Sequence, residues 1–293
     1  MTDNLATTPD QVQQAAAALK KLKPNYFDIL DYYQQIFVAQ EESRIRLKIE
    51  PIKIKAEILA AKKNDQFPLI NISEFVIDKN AAASLLTRIC QIAEDAKVAM
   101  AGAAGVIRKK IASDVLAPGD VFSNLLKGED TFFNKVESEL DVDKKILSLL
   151  AYNSLKPSLM HCALQLSSYL DDDSVWDKGY CPICGSTPGF SMFEDEGSRF
   201  LSCSFCWYGW SAPRIYCPFC DNRNSDTLHY FYSEQEKDYR IDVCDSCKTY
   251  IKAVDTRKAD RIIYPPLEFV ATLHLDIKAQ EMGFKSGIPL ELK

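Results

Sequence analysis

Cys181-Pro182-Ile183-Cys184-Gly185 opens the stretch that decides the architecture. From there the chain repeats a Cys-x-x-Cys pair four times, at Cys181/Cys184, Cys203/Cys206, Cys217/Cys220 and Cys244/Cys247. A two-residue gap lets one tight turn aim both sulfurs at one ion, and two such turns complete a tetrahedral thiolate site. Structural zinc uses this donor set, and one-iron sites are similar. Eight thiolates make two closed sites. Between the first and second pairs lie 18 residues and between the third and fourth 23, each enough for a hairpin, against 10 between the second and third. Sequential pairing needs the least chain; interleaved pairing, first with third and second with fourth, stays open. Pro182 and Pro218 follow the leading cysteines, where a fixed φ suits the turn, and Gly185 follows Cys184, where φ is often positive. Trp207, Trp210, Tyr216, Phe219 and Phe231 are available to shield the sulfurs from water.

The rest of the composition favours metal over disulfides. The chain has 293 residues, about twice the common domain size, with 47% hydrophobic and 26% charged residues, enough to bury a core. Residues Met1 to Gln14 lack the basic start and apolar run of a secretory signal, so the expected compartment is the cytoplasm, where thiols stay reduced. The longest run without Asp, Glu, Lys or Arg is the 15 residues Gly179 to Phe193, rich in Cys, Pro and Gly, so no membrane insertion is expected. The net charge of −6 disfavours a global grip on phosphate backbones.

Outward from the cysteines, the first 170 or so residues read as all-helical. Thr8-Pro9-Asp10-Gln11 is a helix start with a capping box, leading to about Lys23. Phe27, Leu30, Tyr33 and Phe37 recur at helical spacing toward Leu47, and Asp78 caps a helix whose Leu85, Leu86, Ile89, Cys90 and Ala93 share a face. Further helices are expected over 96–111, 120–126, 130–140, 143–153 and 156–170. In the cysteine region 190–193 pairs with 199–203 and 227–232 with 239–243 as hairpins. A tail helix follows Pro265, with Val270, Leu273, Ile277 and Met282 on one face, and Ile288-Pro289-Leu290 closes the chain. The fold class is α+β: an all-helical domain at 1–172, two tetrathiolate modules at 173–212 and 213–264, and a helical tail at 265–293 packing on the body.

Catalysis has no visible seat. No glycine-rich phosphate loop, serine elbow or His-Glu metalloprotease motif occurs, and every metal site has four sulfurs, leaving no vacant position. His161, His229 and His274 read as ordinary histidines, and Cys90 and Cys162 as buried thiols on apolar helical faces. Arg44, Arg46, Lys48, Lys53 and Lys55 form a basic run diluted by Glu41, Glu42 and Glu50, read as a solvated helical face. The bland role of the metals is to staple a segment too small to fold on its own core. A zinc-ribbon nucleic-acid binder is an alternative, opposed by eight Lys or Arg against twelve Asp or Glu from Trp176 to Asp255. A rubredoxin-like electron carrier is another.

Trp176, Cys181-Pro182-Ile183-Cys184-Gly185-Ser186, Pro188, Gly197-Ser198-Arg199-Phe200-Leu201-Ser202-Cys203, Cys206, Trp210, Arg214 and Cys217 together resemble the formate dehydrogenase accessory protein family, FdhE. Cys244-Asp245-Ser246-Cys247-Lys248-Thr249-Tyr250-Ile251-Lys252 is similar to that family's last knuckle. Leu273-His274-Leu275-Asp276 and Glu281-Met282-Gly283-Phe284 are similar to its tail, while the acid-rich start of the tail helix is reduced to Glu268. The resemblance covers about residues 155–293, with Leu155-Lys156-Pro157 its best agreement in the helical half. It implies a helical domain joined to two rubredoxin-like modules. It also implies a non-catalytic chaperone that binds the catalytic subunit of a molybdenum- or tungsten-dependent formate dehydrogenase in the cytoplasm. By the resemblance the eight knuckle cysteines are the functional residues and iron the metal; the residues themselves allow iron or zinc. Oligomeric state is not legible.

Overall fold

The computed structural model describes residues 7–170 and 176–288. The boundary expected at 172/173 and the closing Pro289-Leu290 lie outside them. Helix α1 (Pro9–Leu22) starts at the expected cap: Gln11 N–H donates to Thr8 Oγ1 at 3.3 Å, and Thr8 N–H donates to Gln11 Oε1 at 2.8 Å. There follow α2 (Phe27–Arg44), α3 (Ala56–Asn64), α4 (Lys79–Asp95), α5 (Ala101–Ala112), α6 (Pro118–Lys127), α7 (Asp130–Leu140) and α8 (Lys144–Ser167). Asp78 caps α4 by accepting from Ala81 N–H at 3.0 Å.

Three helical expectations change. Helix α3 buries none of its residues, so no apolar stripe announces it. The helix expected from Ala96 starts only at Ala101, because Lys97 sits at φ 51° in a turn. The basic run is not a helical face: α2 ends at Arg44, and 47–55 is irregular backbone laid over the body. It is held by Lys48 N–H donating to Asp78 at 3.0 Å and Tyr169 Oη donating to Ile52 O at 3.2 Å.

The largest difference is α8, one helix of 24 residues running through Pro157 where two were expected. A proline inside a helix removes the N–H that would bond the carbonyl four residues earlier, here Asn153. That carbonyl is not orphaned, because Gln40 Nε2 on α2 donates to it at 2.7 Å, and both side chains are buried. The helix is apolar nearly all round and serves as the axis of the helical body. Gln40→Leu should therefore leave a buried carbonyl without a donor and cost about 1–3 kcal/mol. Urea denaturation checks it, as a lower midpoint with an unchanged slope.

The strands are β1 (Pro188–Phe193), β2 (Arg199–Cys203), β3 (Gly209–Ala212), β4 (Leu228–Ser233), β5 (Glu236–Cys244), β6 (Thr249–Asp255) and β7 (Lys285–Ser286). Both expected hairpins form, β1 with β2 and β4 with β5. They belong to one sheet of order β3-β2-β1-β6-β5-β4, with β7 beside β6. The junction is a parallel pairing of β1 with β6, Ser191 opposite Ala253 and Phe193 opposite Asp255, so the strands on either side of 212/213 share one sheet. Strand β6 was not read from the sequence because Lys252 interrupts its apolar run. In the fold Lys252 is fully buried, and its Nζ donates to Phe269 O at 2.9 Å and pairs with Asp276 at 2.7 Å.

The tail comprises α9 (Pro265–Val270) and α10 (Leu273–Glu281). The expected face is corrected: Ile277 is 61% exposed, and the buried positions are Leu267, Val270, Ala271, Leu275 and Ala279. The break at Ala271-Thr272 resets the helical phase, so a face projected across it misplaces the second half. Glu268 is fully buried and pairs with Arg261, while Tyr239 Oη donates to it. Lys23, at the end of α1, donates to Ala271 O at 3.0 Å and ties the tail to the helical body.

Candidate metal centres

The four knuckles share a backbone. The residue after each second cysteine is left-handed: Gly185 at φ 75°, Trp207 at 61°, Asp221 at 58° and Lys248 at 55°. Glycine supplies this conformation without strain at the first only. In three knuckles that residue's N–H returns to the leading cysteine's carbonyl: Gly185 to Cys181 at 2.9 Å, Asp221 to Cys217 at 3.0 Å and Lys248 to Cys244 at 2.8 Å. Each turn presents two sulfurs on one side.

The sulfurs gather in sequential order, Cys181, Cys184, Cys203 and Cys206 in one quartet and Cys217, Cys220, Cys244 and Cys247 in the other, each within 4.8 Å. Sulfur separations are 3.5 Å for Cys184 and Cys203, and 3.7 Å for Cys181 and Cys206, Cys217 and Cys247, and Cys220 and Cys244. A disulfide would bring them to ~2 Å. A tetrahedron with metal–sulfur bonds of ~2.3 Å has edges of ~3.8 Å. All eight are free thiols, and either quartet could hold a metal ion.

The donor chemistry fits such an ion. Burial pushes the Cys181 and Cys206 thiols far up, while the three neighbouring sulfurs hold Cys184 far down. A buried quartet cannot ionise fully by itself, and a bound cation would supply the missing compensation. The N–H groups of Phe205 and Cys206 donate to Cys203 Sγ at 3.3 and 3.4 Å. In the second quartet Asn222 Nδ2 donates to Cys244 Sγ at 3.4 Å. Burial raises Cys244, but the Asn222 amide and the N–H groups of Cys247 and Ser246 prevail and bring it to about 6.

The two centres differ in their surroundings. All four sulfur residues of the first are buried in the apolar cluster that includes the helical body. Tyr152 Oη on α8 donates to Ser204 O and Phe205 O at 2.9 and 2.7 Å, and Leu69 and Ile70 N–H donate to Pro182 O and Ile183 O, both at 2.9 Å. In the second, Cys220 is exposed and Cys247 half-buried. Of the aromatics singled out as shields, Trp210 and Tyr216 are buried, whereas the sequence reading missed Phe205, whose ring lies tilted against those of Phe75 and Tyr152, 5.7 Å from each. It also missed Asn222; its place two residues after Cys220 was the available signal.

No histidine joins either quartet. His229 faces Asp245 at 3.0 Å, His274 lies between Tyr26 at 2.8 Å and Glu236 at 2.6 Å, and His161 meets Gln165 at 3.0 Å. Cys90 and Cys162 are buried in the helical body, where burial pushes their thiols up to about 12 and about 11. Neither is activated.

Comparisons with known proteins point the same way. Residues 180–214 match the family described as FdhE, central domain. The "Protein FdhE homolog" of Aquifex aeolicus is 44% identical over 113 residues, 37% of this chain and 40% of that one. The homolog of Shewanella oneidensis is 30% identical over 140 residues, 47% of this chain and 46% of that one. "Protein FdhE" of Escherichia coli is 34% identical over 109 residues, 36% of this chain and 34% of that one. The chain thus spans less than half the length of the curated relatives it matches. The crystal structure of the FdhE protein from Pseudomonas aeruginosa superposes with a TM-score of 0.66 at 21% identity, covering 98% of this chain and 96% of that one. By sequence over its cysteine segment and by fold over nearly its whole length, the chain is FdhE-like.

Proposed function

We propose that this protein is a non-catalytic accessory protein of the cytoplasm that binds the catalytic subunit of a molybdenum- or tungsten-dependent formate dehydrogenase during its maturation. In this reading the eight knuckle cysteines hold two metal ions, iron or zinc, with Cys181, Cys184, Cys203 and Cys206 on one and Cys217, Cys220, Cys244 and Cys247 on the other. The ions supply rigidity: each cross-links two turns and fixes a strand end. The division into a helical domain at 1–172, modules at 173–212 and 213–264 and a tail at 265–293 belongs to the same proposal.

The observation that carries the reading is the pair of closed four-sulfur quartets set in one sheet, in a segment whose relatives bear the FdhE name. Closed donor sets favour a structural role, because a catalytic ion keeps an open position. Among the described residues no helix is long and apolar enough to cross a membrane. The test is co-purification of a tagged chain with the dehydrogenase catalytic subunit from cells making both. Capture is expected from the unaltered chain and lost when Cys181 and Cys184 are replaced by Ser; capture undiminished in that variant would refute a metal-organised docking platform.

A further inference from the structure

Two cavities, of about 270 and 450 Å³, open on the outer part of the sheet and share Arg214, Tyr230 and Arg240. Together they make one trough, running from Cys217 and Cys244 of the second quartet to Arg257 and Lys258. Its charge is opposite to that of the chain. Six Arg or Lys line it: Arg199, Arg214, Lys237, Arg240, Arg257 and Lys258. The four carboxylates present are already engaged. Asp242 is shared by Arg199 and Arg240, Asp255 by Arg257 and Lys258, Glu234 pairs with Lys237, and Asp238 turns to Arg261. Arg214 is exposed and has no acidic partner among the described residues.

Beside the trough runs β4, an outer strand paired only with β5 among the described residues. Its register places Leu228 opposite Cys244 and His229 opposite Val243, and Asp245 N–H donates to Thr227 O at 2.9 Å. Thr227 opposite Asp245 is thus a hydrogen-bonded pair. By the alternation of antiparallel ladders the N–H and C=O of Leu228 and Tyr230 point away from β5. Tyr230 and Tyr232 are 57% and 56% exposed and stack on each other at 6.2 Å, and Arg240 lies over the Tyr230 ring at 4.9 Å. A free strand edge, exposed tyrosines and arginines are the ingredients of peptide recognition by strand addition.

We propose that this edge and trough form a docking surface for an extended acidic segment of a partner polypeptide. The segment adds as a strand to β4 and lays its carboxylates along Arg214 and the Arg257–Lys258 end. A peptide fits better than a nucleic acid because another backbone can satisfy both the outward N–H and the outward C=O of Tyr230, whereas a phosphodiester linkage offers acceptors only and leaves the C=O without a donor. The proposal deepens the accessory reading by naming where and by what chemistry a partner binds, and rests on that reading only for the partner's identity.

The test uses the full metal-loaded chain and fluorescence anisotropy with three labelled probes: a twelve-residue alternating Glu-Val peptide, its Lys-Val counterpart and a twelve-nucleotide oligouridine. The Glu-Val peptide should bind, and the other two should bind about tenfold more weakly or not at all. Arg214→Glu should weaken the acidic peptide about tenfold by reversing an exposed charge. Tyr230→Pro should weaken it further than Tyr230→Ala, because only proline removes the outward N–H. Should the proline variant fail to fold, the Arg214→Glu and Tyr230→Ala pair still decides. No binding of the acidic peptide, equal binding of the lysine peptide, or preferred binding of oligouridine each overturns the proposal. Peptide binding that responds to these variants in a chain that captures no dehydrogenase subunit upholds the surface and refutes only the partner assignment.

Discussion

Replacing Cys206 with Ser should abolish the fold of the carboxy-terminal half, whereas Cys247→Ser should leave most of it standing. Structural zinc contributes apparent free energies of ~10–16 kcal/mol in small modules, and a whole domain is net stable by only ~5–15 kcal/mol. Removing a ligand of the first centre therefore removes as much as the fold has in reserve. The position of that centre aggravates the loss, because Cys206 is fully buried and its knuckle is gripped by Tyr152 and packed on Phe75 through Phe205. The second centre lies at the surface, with Cys220 exposed, and its loss disturbs β4, β5 and the neighbouring turns first. Elemental analysis should find about two metal ions per chain in the unaltered protein and about one in Cys247→Ser. Limited proteolysis should show the Cys206→Ser variant cut within the sheet. A chelator should empty the second centre before the first; equal rates would contradict the asymmetry.

Lys156→Met should make the protein more stable, and the gain should depend on pH. Lys156 lies on α8 with 7% of its surface exposed, surrounded by the rings of Trp207 at 4.8 Å, Tyr152 at 5.4 Å and Phe37 at 5.6 Å, with no carboxylate paired to it among the described residues. Burial lowers its ammonium from 10.5 to about 7. The facing Tyr152 phenol is itself pushed far up by burial and stays neutral. In the unfolded chain the lysine binds its proton up to about pH 10.5, in the folded chain only to about pH 7, so between these limits the unfolded state holds more protons. Stability then rises with pH across that window, and the penalty is complete below it. A drop of this size corresponds to roughly 5 kcal/mol, of which the three rings return a part by cation–π attraction. The methionine variant should therefore gain about 1–4 kcal/mol at pH 6, a gain that shrinks as the pH rises above about 7 and vanishes only near pH 10.5. Urea denaturation of both proteins at pH 6, 7.5 and 9 checks this; a gain that does not change with pH would show that Lys156 is not the titrating group.

The parts of this architecture legible in the sequence are those carried by local chemistry. A Cys-x-x-Cys turn needs nothing from the rest of the chain to aim its sulfurs, and Thr8 with Gln11 closes a helix start within four residues. What escaped depends on distant partners. Pro157 reads as a helix boundary until Gln40, far away on α2, supplies a donor to Asn153. Lys252 reads as a break in a strand until Asp276 and the carbonyl of Phe269 take its ammonium. Of the candidate site, the eight sulfurs follow from spacing, which favours the sequential grouping and leaves the interleaved one open until the fold brings the quartets together. The difference between a buried and an exposed quartet does not, because it is set by which knuckle meets α8.

The parallel pairing of β1 with β6 also fixes an order of events during synthesis. Ser191 finds its partner Ala253 only after some sixty further residues have been made. At ~5–20 residues per second, β1 waits several seconds with one side of its backbone open. A ribosome delivering this chain thus exposes a sticky strand for that interval, and early capture of the first ion, which needs nothing beyond Cys206, is what would keep the nascent segment from pairing with a neighbour.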